Sequence, residues 1–295
     1  MRPSKLKTRI FLDGADPGET RSLLGLLGFL DGQTTNPTLV SKNPAARARL
    51  AQGRRFDEGE LLALYRGVVR EVSGLLPAGS VSVEVTADAN TPAEDMLRQG
   101  RAMSGWIPNA HIKFPTCAEG LKAAQQAVRE GLRVNLTLCF SQQQAAAVYA
   151  ATRGAKKGQV FVSPFVGRLD DRGQDGMGLV SNILRLYAPG DGHVEVLTAS
   201  VRSVEHLLRA LRLGSDIVTA PEVVLAEWAR RGQPLPSPSD AYANPGLSPM
   251  PYEGVDLAQD WRGFDIRHEL TDKGMEKFSA DWADLIVAGR EKAAS

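Results

Sequence analysis

The segment His111-Ile112-Lys113-Phe114-Pro115-Thr116 is a short apolar run that predicts a buried strand, and a helical pattern over residues 118–130 follows it. A strand followed by a helix is the unit of a parallel sheet, because parallel neighbours must be joined by a crossover connection. Lys113 stands out inside this strand, since lysine is rarely buried without a specific role. The same strand-helix unit recurs along much of the chain.

About eight strand-like segments alternate with helical patterns between residues 9 and 231. The predicted strands are 9–12, 32–35, 81–85, 111–114, 133–138, 159–162, 193–198 and 215–219. This alternation predicts an α/β fold, a closed (β/α)8 TIM barrel. An open, doubly wound sheet is the alternative, but no Gly-x-Gly-x-x-Gly motif follows the first strand, which weighs against a dinucleotide-binding fold.

The domain organisation follows from chain length and from a change in composition near the end. Residues 1–295 are predicted to form a single (β/α)8 barrel domain, a common length for one barrel. Residues 232–263 carry six prolines and predict a loop insertion. Residues 271–288 predict a C-terminal helix, whose apolar side holds Phe278 and Trp282. That side would pack on its own barrel or on a neighbouring subunit of a homo-oligomer.

The bulk composition excludes several classes of protein. A net charge of +1, without a basic excess or an acidic tail, does not predict a nucleic-acid partner. Cys117 and Cys139 form no Cys-x-x-Cys motif and no His/Cys cluster, so neither disulfides nor a metal site is predicted. Residues 1–8 contain no apolar run of signal-peptide length, and no stretch approaches a membrane span. We therefore expect a cytoplasmic protein without a membrane partner.

Polar residues follow or end most of the predicted strands, where the active site of a (β/α)8 barrel lies. They are Asp13, Asn36, Glu84, Lys113, Asn135, Thr137, Ser163, Arg168, Ser200 and Arg202. Each has a structural explanation of its own: Lys113 could reach water from a strand end, and Asp13 or Ser200 could cap a helix. Glu84 and Asn135 are harder to explain in this way, because an unpaired polar group inside a strand costs roughly 1–3 kcal/mol.

Together these residues place a lysine, two carboxylates and two arginines on one face of the predicted barrel. Burial disfavours the ammonium form of a lysine, and a neutral amine is a nucleophile toward carbonyl groups. Arginine binds carboxylate and phosphate groups through two parallel hydrogen bonds. The constellation therefore predicts Schiff-base carbonyl chemistry on an anionic substrate.

Seven segments, in this order, resemble the transaldolase family, including its smaller members and the related fructose-6-phosphate aldolases. The segments are Phe11-Leu12-Asp13, Thr34-Thr35-Asn36-Pro37-Thr38-Leu39, Ile112-Lys113-Phe114-Pro115 with Glu119-Gly120-Leu121, Val134-Asn135-Leu136-Thr137-Leu138, Ser163-Pro164-Phe165-Val166-Gly167-Arg168, Ala199-Ser200-Val201-Arg202 and Leu270-Thr271-Asp272-Lys273-Gly274. The Thr-Thr-Asn-Pro and Ser-Pro-Phe-Val-Gly-Arg pieces are specific to the family.

The resemblance implies a role for each of these residues, with sugar phosphates as substrates and no cofactor. Lys113 would form a Schiff base with a ketose phosphate, and Asp13 would take a proton from its C4 hydroxyl. Glu84 and Thr137 would position a water for proton transfer. The remaining residues would bind the substrate: Asn36 and Asn135 at the hydroxyl groups of the bound dihydroxyacetone unit, Arg168, Ser200 and Arg202 at the phosphate, with Ser163 and Phe165 as further substrate-binding residues.

Two positions discriminate within the resembled family. Fructose-6-phosphate aldolases tend to carry Gln at the position of Glu84 and Tyr at that of Phe165, so this chain favours transfer over cleavage. The alternatives are an aldolase that releases dihydroxyacetone, a transferase acting on a related acidic sugar, and a non-catalytic barrel that binds sugar phosphates. A further hypothesis is that the insertion 232–263 covers the strand ends and alters the choice of acceptor aldehyde.

Overall fold

The centre of the fold is a closed barrel of eight parallel strands, in the order β1 to β8. The computed structural model describes residues 2–237, 242 and 246–287. The strands are β1 Arg9–Asp13, β2 Gly32–Thr34, β3 Ser80–Glu84, β4 Ala110–Pro115, β5 Val134–Cys139, β6 Val160–Pro164, β7 Val194–Thr198 and β8 Ile217–Ala220. The predicted (β/α)8 barrel is confirmed, and the pairing of β8 with β1 excludes the open sheet.

Helices surround the barrel, and side-chain caps begin many of them. They are α1 Pro17–Leu27, α2 Pro37–Ser41, α3 Pro44–Ala51, α4 Glu58–Leu75, α5 Ala93–Ser104, α6 Ala118–Arg129, α7 Gln142–Ala151, α8 Val166–Asp170, α9 Gly176–Tyr187, α10 Val204–Leu213, α11 Glu222–Arg230 and α12 Glu269–Ala283. Asp57 and Glu60 form a capping box that begins α4. No helix in the described part of the chain is long and apolar enough to cross a membrane.

The connection from β4 to α6 is unusually close, and it supports the strand that carries Lys113. A Cβ atom added at Gly120 would lie 1.9 Å from the Pro115 carbonyl oxygen, so only glycine fits where α6 crosses the end of β4. The side chain of Cys117, the residue before α6, accepts a hydrogen bond from the Gly120 N–H at 3.4 Å. The lysine strand therefore ends against a tightly packed helix start.

The register of three neighbouring strands aligns the charged residues of the strand ends. Glu84 of β3 pairs with Lys113 of β4, and Lys113 pairs with Asn135 of β5. Residues paired in this way lie side by side across a sheet. The barrel therefore brings these three side chains into one row, although they are far apart in the sequence.

The C-terminal helix differs in its bounds from the predicted range 271–288. Helix α12 begins two residues earlier, at Glu269, and ends at Ala283, while residue 288 lies outside the described residues. Beyond the end of α12, the chain pairs with another segment: the Leu285 carbonyl accepts a hydrogen bond from the Phe56 N–H at 2.9 Å. Phe278 and Trp282 are buried against this chain's own barrel.

The described part of the insertion 232–263 lies along the outside of the barrel, over α7 and α9. Gln142 donates a hydrogen bond to the Pro251 carbonyl at 2.9 Å, and Asn182 donates one to the Met250 carbonyl at 2.8 Å. Residues 238–241 and 243–245 lie outside the described residues. None of the insertion's described residues lines the cavity at the strand ends. The hypothesis that the insertion covers this face therefore receives no support from its described part.

Candidate active site

Lys113 is held inside the barrel and does not extend from the strand end into water. Only 3% of the surface of Lys113 is exposed. The Nζ atom lies 2.8 Å from the Glu84 carboxylate and donates a hydrogen bond to the Thr35 carbonyl at 3.0 Å. A buried amine with two defined partners is fixed in position, which is what a nucleophile needs to meet a bound carbonyl group.

Burial affects the pKa of both carboxyl groups near Lys113 in the same direction. Burial raises the pKa of Glu84 above its ordinary value, and the charge of Lys113 opposes this shift. Burial likewise raises the pKa of Asp13, against the effects of Lys113 and of the Thr34 hydroxyl, which donates to Asp13 at 2.7 Å. A carboxyl group whose pKa moves toward neutrality is suited to general acid-base catalysis.

Thr137 and Asn135, both on β5, differ in how their side chains are satisfied. The amide of Asn135 donates to the Ser82 hydroxyl at 3.1 Å and accepts from the Ser163 hydroxyl at 2.7 Å, so the protein fixes both ends of the amide. The buried Thr137 hydroxyl has no hydrogen-bond partner within the described part of the chain, and it lines the cavity. A buried hydroxyl without a protein partner is costly unless it binds a ligand or water.

A cavity of about 210 Å³ opens at the carboxyl-terminal ends of the strands. Eight of the eleven predicted site residues line it: Asp13, Asn36, Lys113, Thr137, Ser163, Phe165, Arg168 and Ser200. Glu84 and Asn135 lie behind this lining, in contact with Lys113 and Ser163 respectively. The structure thus brings ten predicted residues together, and Arg202 is the exception.

Arg168 is the cation best placed to bind an anion in this cavity. Its guanidinium carbon lies 5.5 Å from the ring centres of both Phe165 and Phe278. Burial lowers the pKa of Arg168, although the group stays charged at any physiological pH. Nearby, Ser200 adopts a left-handed backbone conformation, with φ of 58°, which is uncommon for a residue with a side chain. Such strain is typical of functional loops.

Arg202 lies apart from the cavity lining. Its guanidinium forms two hydrogen bonds with the Asp171 carboxylate, one of them 2.6 Å long, and its side chain is about half exposed. An Arg–carboxylate pair of this kind is a stable arrangement in itself. The predicted contact of Arg202 with a phosphate stays a prediction, and it requires Arg202 to leave Asp171.

Several residues that line the cavity were missed by the sequence reasoning. Thr219 of β8 lies 2.6 Å from the Thr34 hydroxyl, which in turn binds Asp13. Lys42 follows α2, and Lys277 with Phe278 belongs to α12. Thr219 could have been found as a polar residue near the end of the last strand. Phe278 was predicted only as an apolar packing residue and Lys277 gave no local signal, because only the docking of α12 brings them to the cavity.

A larger cleft, of about 900 Å³, lies at the opposite end of the barrel beside Lys7, Arg9 and Asp216. This is the amino-terminal end of the strands, where active sites of this fold are not found. Two of the ionisable residues there, Arg9 and Glu195, form an ion pair at 2.8 Å. We therefore assign the active site to the smaller cavity at Lys113, although this cleft is larger.

Comparison with known proteins identifies the family of this chain. Residues 10–288 match the family model described as Transaldolase/Fructose-6-phosphate aldolase. The chain belongs to this family. The resemblance drawn from seven short segments is thereby confirmed, and it extends over most of the chain.

Relatives in the transaldolase/fructose-6-phosphate aldolase family match this chain over nearly their whole length. A probable transaldolase from Dehalococcoides mccartyi is 37% identical over 277 residues, covering 94% of this chain and 99% of the relative. One from an Anaeromyxobacter species is 38% identical, with 93% and 97% covered. A third, from Herpetosiphon aurantiacus, is 36% identical, with 94% and 96% covered. These names support an enzyme of the aldolase or transferase type.

Proposed function

We propose that this protein is a transaldolase that transfers a dihydroxyacetone unit through a Schiff base on Lys113. The donor is fructose 6-phosphate or sedoheptulose 7-phosphate, and the acceptor aldehyde is erythrose 4-phosphate or glyceraldehyde 3-phosphate. The observation that carries the proposal is the buried Lys113 amine, 2.8 Å from Glu84, which opens onto a cavity that Asp13 also lines. Membership of the transaldolase/fructose-6-phosphate aldolase family supports it.

The proposed reaction assigns different proton transfers to the two carboxyl groups. The neutral Lys113 amine attacks the C2 carbonyl of the ketose, and loss of water, with Glu84 and Thr137 moving protons, gives an iminium ion. The iminium accepts electrons as the C3–C4 bond breaks, while Asp13 takes the C4 hydroxyl proton and the aldose phosphate leaves. The resulting enamine adds to the acceptor aldehyde, and the steps then run in reverse. Each general acid-base step contributes about 10²–10⁴-fold.

The donor's hydroxyl groups would contact the amide and hydroxyl side chains of the cavity. Asn36 begins α2, and its side-chain oxygen accepts the Leu39 N–H at 2.8 Å. This cap occupies the oxygen and leaves the amide nitrogen for a substrate hydroxyl. The Asn135–Ser163 pair would bind the dihydroxyacetone unit with little reorganisation, because each side chain already holds the other in place.

The phosphate group would bind at Arg168 and Ser200, with Arg202 joining if it leaves Asp171. Replacing Arg168 with methionine keeps the aliphatic contact with Phe165 and Phe278 but removes the charge. We expect the KM for fructose 6-phosphate to rise by about 10- to 100-fold, since a hydrogen bond to a charged group contributes roughly 1.5–3 kcal/mol. Steady-state kinetics with fructose 6-phosphate and with unphosphorylated fructose as donors, at saturating erythrose 4-phosphate, measure the effect.

The loss is expected only for the phosphorylated donor. Arg172→Met is the matched control, because Arg172 is an exposed arginine paired with Glu269 and does not line the cavity. If Arg168→Met raised the KM of both donors equally, Arg168 would not be the phosphate-binding residue.

Phe165 is expected to decide between transfer and cleavage. Its ring packs against Phe140, with the ring centres 5.8 Å apart, and lines the cavity. In Phe165→Tyr a phenol could protonate the enamine and release dihydroxyacetone, so we expect acceptor-independent cleavage of fructose 6-phosphate to rise roughly 10-fold or more. Free dihydroxyacetone is measured enzymatically, with Phe29→Tyr at the other end of the barrel as the control. Unchanged release in Phe165→Tyr would remove Phe165 from this role.

The proposed activity places the protein in the pentose phosphate pathway, in the cytoplasm. Sugar phosphates are its proposed partners, together with further copies of the same chain if it forms a homo-oligomer. Neither nucleic acid nor a membrane is part of the proposal. A cytoplasmic transaldolase would meet its sugar-phosphate substrates in solution.

The dependence on an acceptor tests the proposed function. Fructose 6-phosphate is supplied with and without erythrose 4-phosphate, and glyceraldehyde 3-phosphate and sedoheptulose 7-phosphate are followed. We expect turnover that requires erythrose 4-phosphate. Turnover without it, with release of dihydroxyacetone, would assign an aldolase instead. No turnover with any of these sugars would direct the search to related acidic sugars or to a binding role.

A further inference from the structure

The hydrogen-bond ladder between β2 and β3 breaks beside Lys113. The Thr35 N–H donates to the Ser82 carbonyl at 3.1 Å, in line with the pairing of Thr34 with Ser82. A regular parallel ladder would continue with the Glu84 N–H donating to the Thr35 carbonyl. The Glu84 N–H instead donates to the Tyr65 hydroxyl at 2.9 Å, and the Thr35 carbonyl accepts Lys113 Nζ at 3.0 Å.

Tyr65, on α4, is placed so that its hydroxyl can replace the missing carbonyl. It is 1% exposed, and its oxygen lies 2.6 Å from the Thr35 hydroxyl. The Thr35 hydroxyl donates its own hydrogen to the Ser82 carbonyl at 2.7 Å, so Tyr65 is the donor in the contact between the two hydroxyls. The phenol thus donates to Thr35 and accepts from Glu84, and both of its hydrogen-bonding functions are used.

Two tryptophans hold the Tyr65 ring in this position. The ring centres of Trp106 and Trp282 lie 5.7 Å and 5.9 Å from that of Tyr65, both in edge-on arrangements. Trp282 belongs to α12, whose residues Lys277 and Phe278 line the cavity. Tyr65 is therefore enclosed and cannot turn away from the ladder without displacing α12.

We propose that Tyr65 is a positioning residue for Lys113. Its hydroxyl takes over the Glu84 N–H and so frees the Thr35 carbonyl to hold the lysine amine. It also fixes the backbone of Glu84, whose carboxylate is the other partner of Lys113. The inference rests on the proposed Schiff-base function for its catalytic consequence, but the exchange of hydrogen bonds is a property of the structure alone.

Tyr65→Phe tests this role because it removes only the hydroxyl. Without it, the Glu84 N–H can return to the Thr35 carbonyl and close the ladder, which leaves Lys113 with Glu84 alone. We expect kcat for fructose 6-phosphate to fall on the order of 10- to 100-fold, with KM within about 2-fold of wild type, because a small misplacement of a reacting group has effects of this size. The rate of borohydride-trapped adduct formation should fall in parallel.

Tyr187→Phe is the matched control. Tyr187, on α9, is also buried, and its hydroxyl donates to the Ala145 carbonyl at 2.6 Å, away from the cavity. This variant loses a buried hydrogen bond without a replacement, so we expect a lower melting temperature and a wild-type kcat. Tyr65→Phe should show the opposite pattern, with a melting temperature closer to wild type and a reduced kcat.

A crystal structure of Tyr65→Phe separates this inference from the proposed function. The expected structure has the Glu84 nitrogen within hydrogen-bond distance of the Thr35 carbonyl, and Lys113 Nζ no longer bonded to that carbonyl. An unchanged contact between Lys113 and the Thr35 carbonyl would overturn the inference, as would wild-type kcat and trapping rate in the variant. If wild-type protein traps no ketose but the variant shows the exchanged bonds, the proposed function fails and the positioning of Lys113 by Tyr65 stands.

Discussion

Replacing Lys113 with methionine is expected to lower kcat for transfer by at least about 10⁴-fold, the largest effect among these variants. The Schiff base needs an amine, and no other residue can take over a nucleophile that the barrel holds in one position. Lys113 is buried between Glu84 and the Thr35 carbonyl, and methionine has a similar length and flexibility. The comparison therefore isolates the amine from the packing of the side chain. Initial rates of sedoheptulose 7-phosphate formation give the ratio.

The fold should survive Lys113→Met, because Glu84 need not remain as an unpaired charge. Burial already raises the pKa of Glu84, and loss of the lysine charge removes a cause that opposes this shift, so the carboxyl group can become neutral. Lys122→Met is the control, since Lys122 is exposed on α6 and pairs with Glu119. If Lys113→Met retained more than about one hundredth of wild-type kcat, a role as the Schiff-base nucleophile would be excluded.

Asp13→Asn is expected to lower kcat by about 10²–10⁴-fold, the second large effect. Asparagine keeps the shape and can still accept the hydrogen bond that Thr34 donates at 2.7 Å, but it cannot take a proton from the C4 hydroxyl. Formation of the Schiff base does not use Asp13, so the donor should still be trapped on the enzyme by borohydride. Slow turnover together with undiminished trapping distinguishes this result from simple misfolding. Loss of both would show that Asp13 acts before the C–C bond breaks.

The same variant should be more stable than wild type at neutral pH. In the folded protein burial raises the pKa of Asp13 above the value of 3.8 that is usual for an exposed Asp. A carboxyl group whose pKa is higher in the folded protein than in the unfolded chain stabilises the fold while it is protonated. This contribution is fully present at a pH below the pKa of the unfolded chain, and it is lost as the pH rises through the pKa of the folded protein. Asparagine has no such loss, so the melting temperature of Asp13→Asn should exceed that of wild type at pH 7.5. The difference should shrink as the pH falls toward 4, which thermal melts at several pH values measure.

The fold was largely predictable because seven of the eight strands carry a clear apolar pattern. Strand β2, Gly32–Thr34, is the exception, with a composition that is poor for a strand. Tertiary contacts explain it: Gln33 accepts a hydrogen bond from the Thr20 hydroxyl at 2.7 Å and donates one to the Gly14 carbonyl at 2.9 Å. A Cβ atom at Gly32 would lie 2.4 Å from the Ser80 carbonyl, so close strand packing requires glycine there.

Ten of the eleven predicted site residues came from one rule, that polar residues at barrel strand ends meet at the same face, and Phe165 came from the family resemblance. The rule found Asp13, Glu84 and Lys113 because each belongs to a strand whose position in the barrel follows from its order. It could not find Tyr65, which lies in the middle of α4 and looks like any buried aromatic residue of a helix. Lys277 was missed for a similar reason, since the bounds and docking of α12 depend on contacts between distant segments.

Pairing between side chains is also beyond a reading of the sequence. Arg202 belongs to a segment that matches the family, yet its guanidinium is bound to Asp171, which comes 31 residues earlier. Which partner a charged side chain chooses is decided by the geometry of loops, and local patterns do not record it.

The most direct test of the central claim is to reduce the protein with borohydride in the presence of fructose 6-phosphate and to map the modified peptide by mass spectrometry. The account predicts an adduct on Lys113 that is a dihydroxyacetone unit in wild type and uncleaved fructose 6-phosphate in Asp13→Asn, and no adduct in Lys113→Met. A trapped unit on any other lysine, or the same trapping in Lys113→Met, would contradict it.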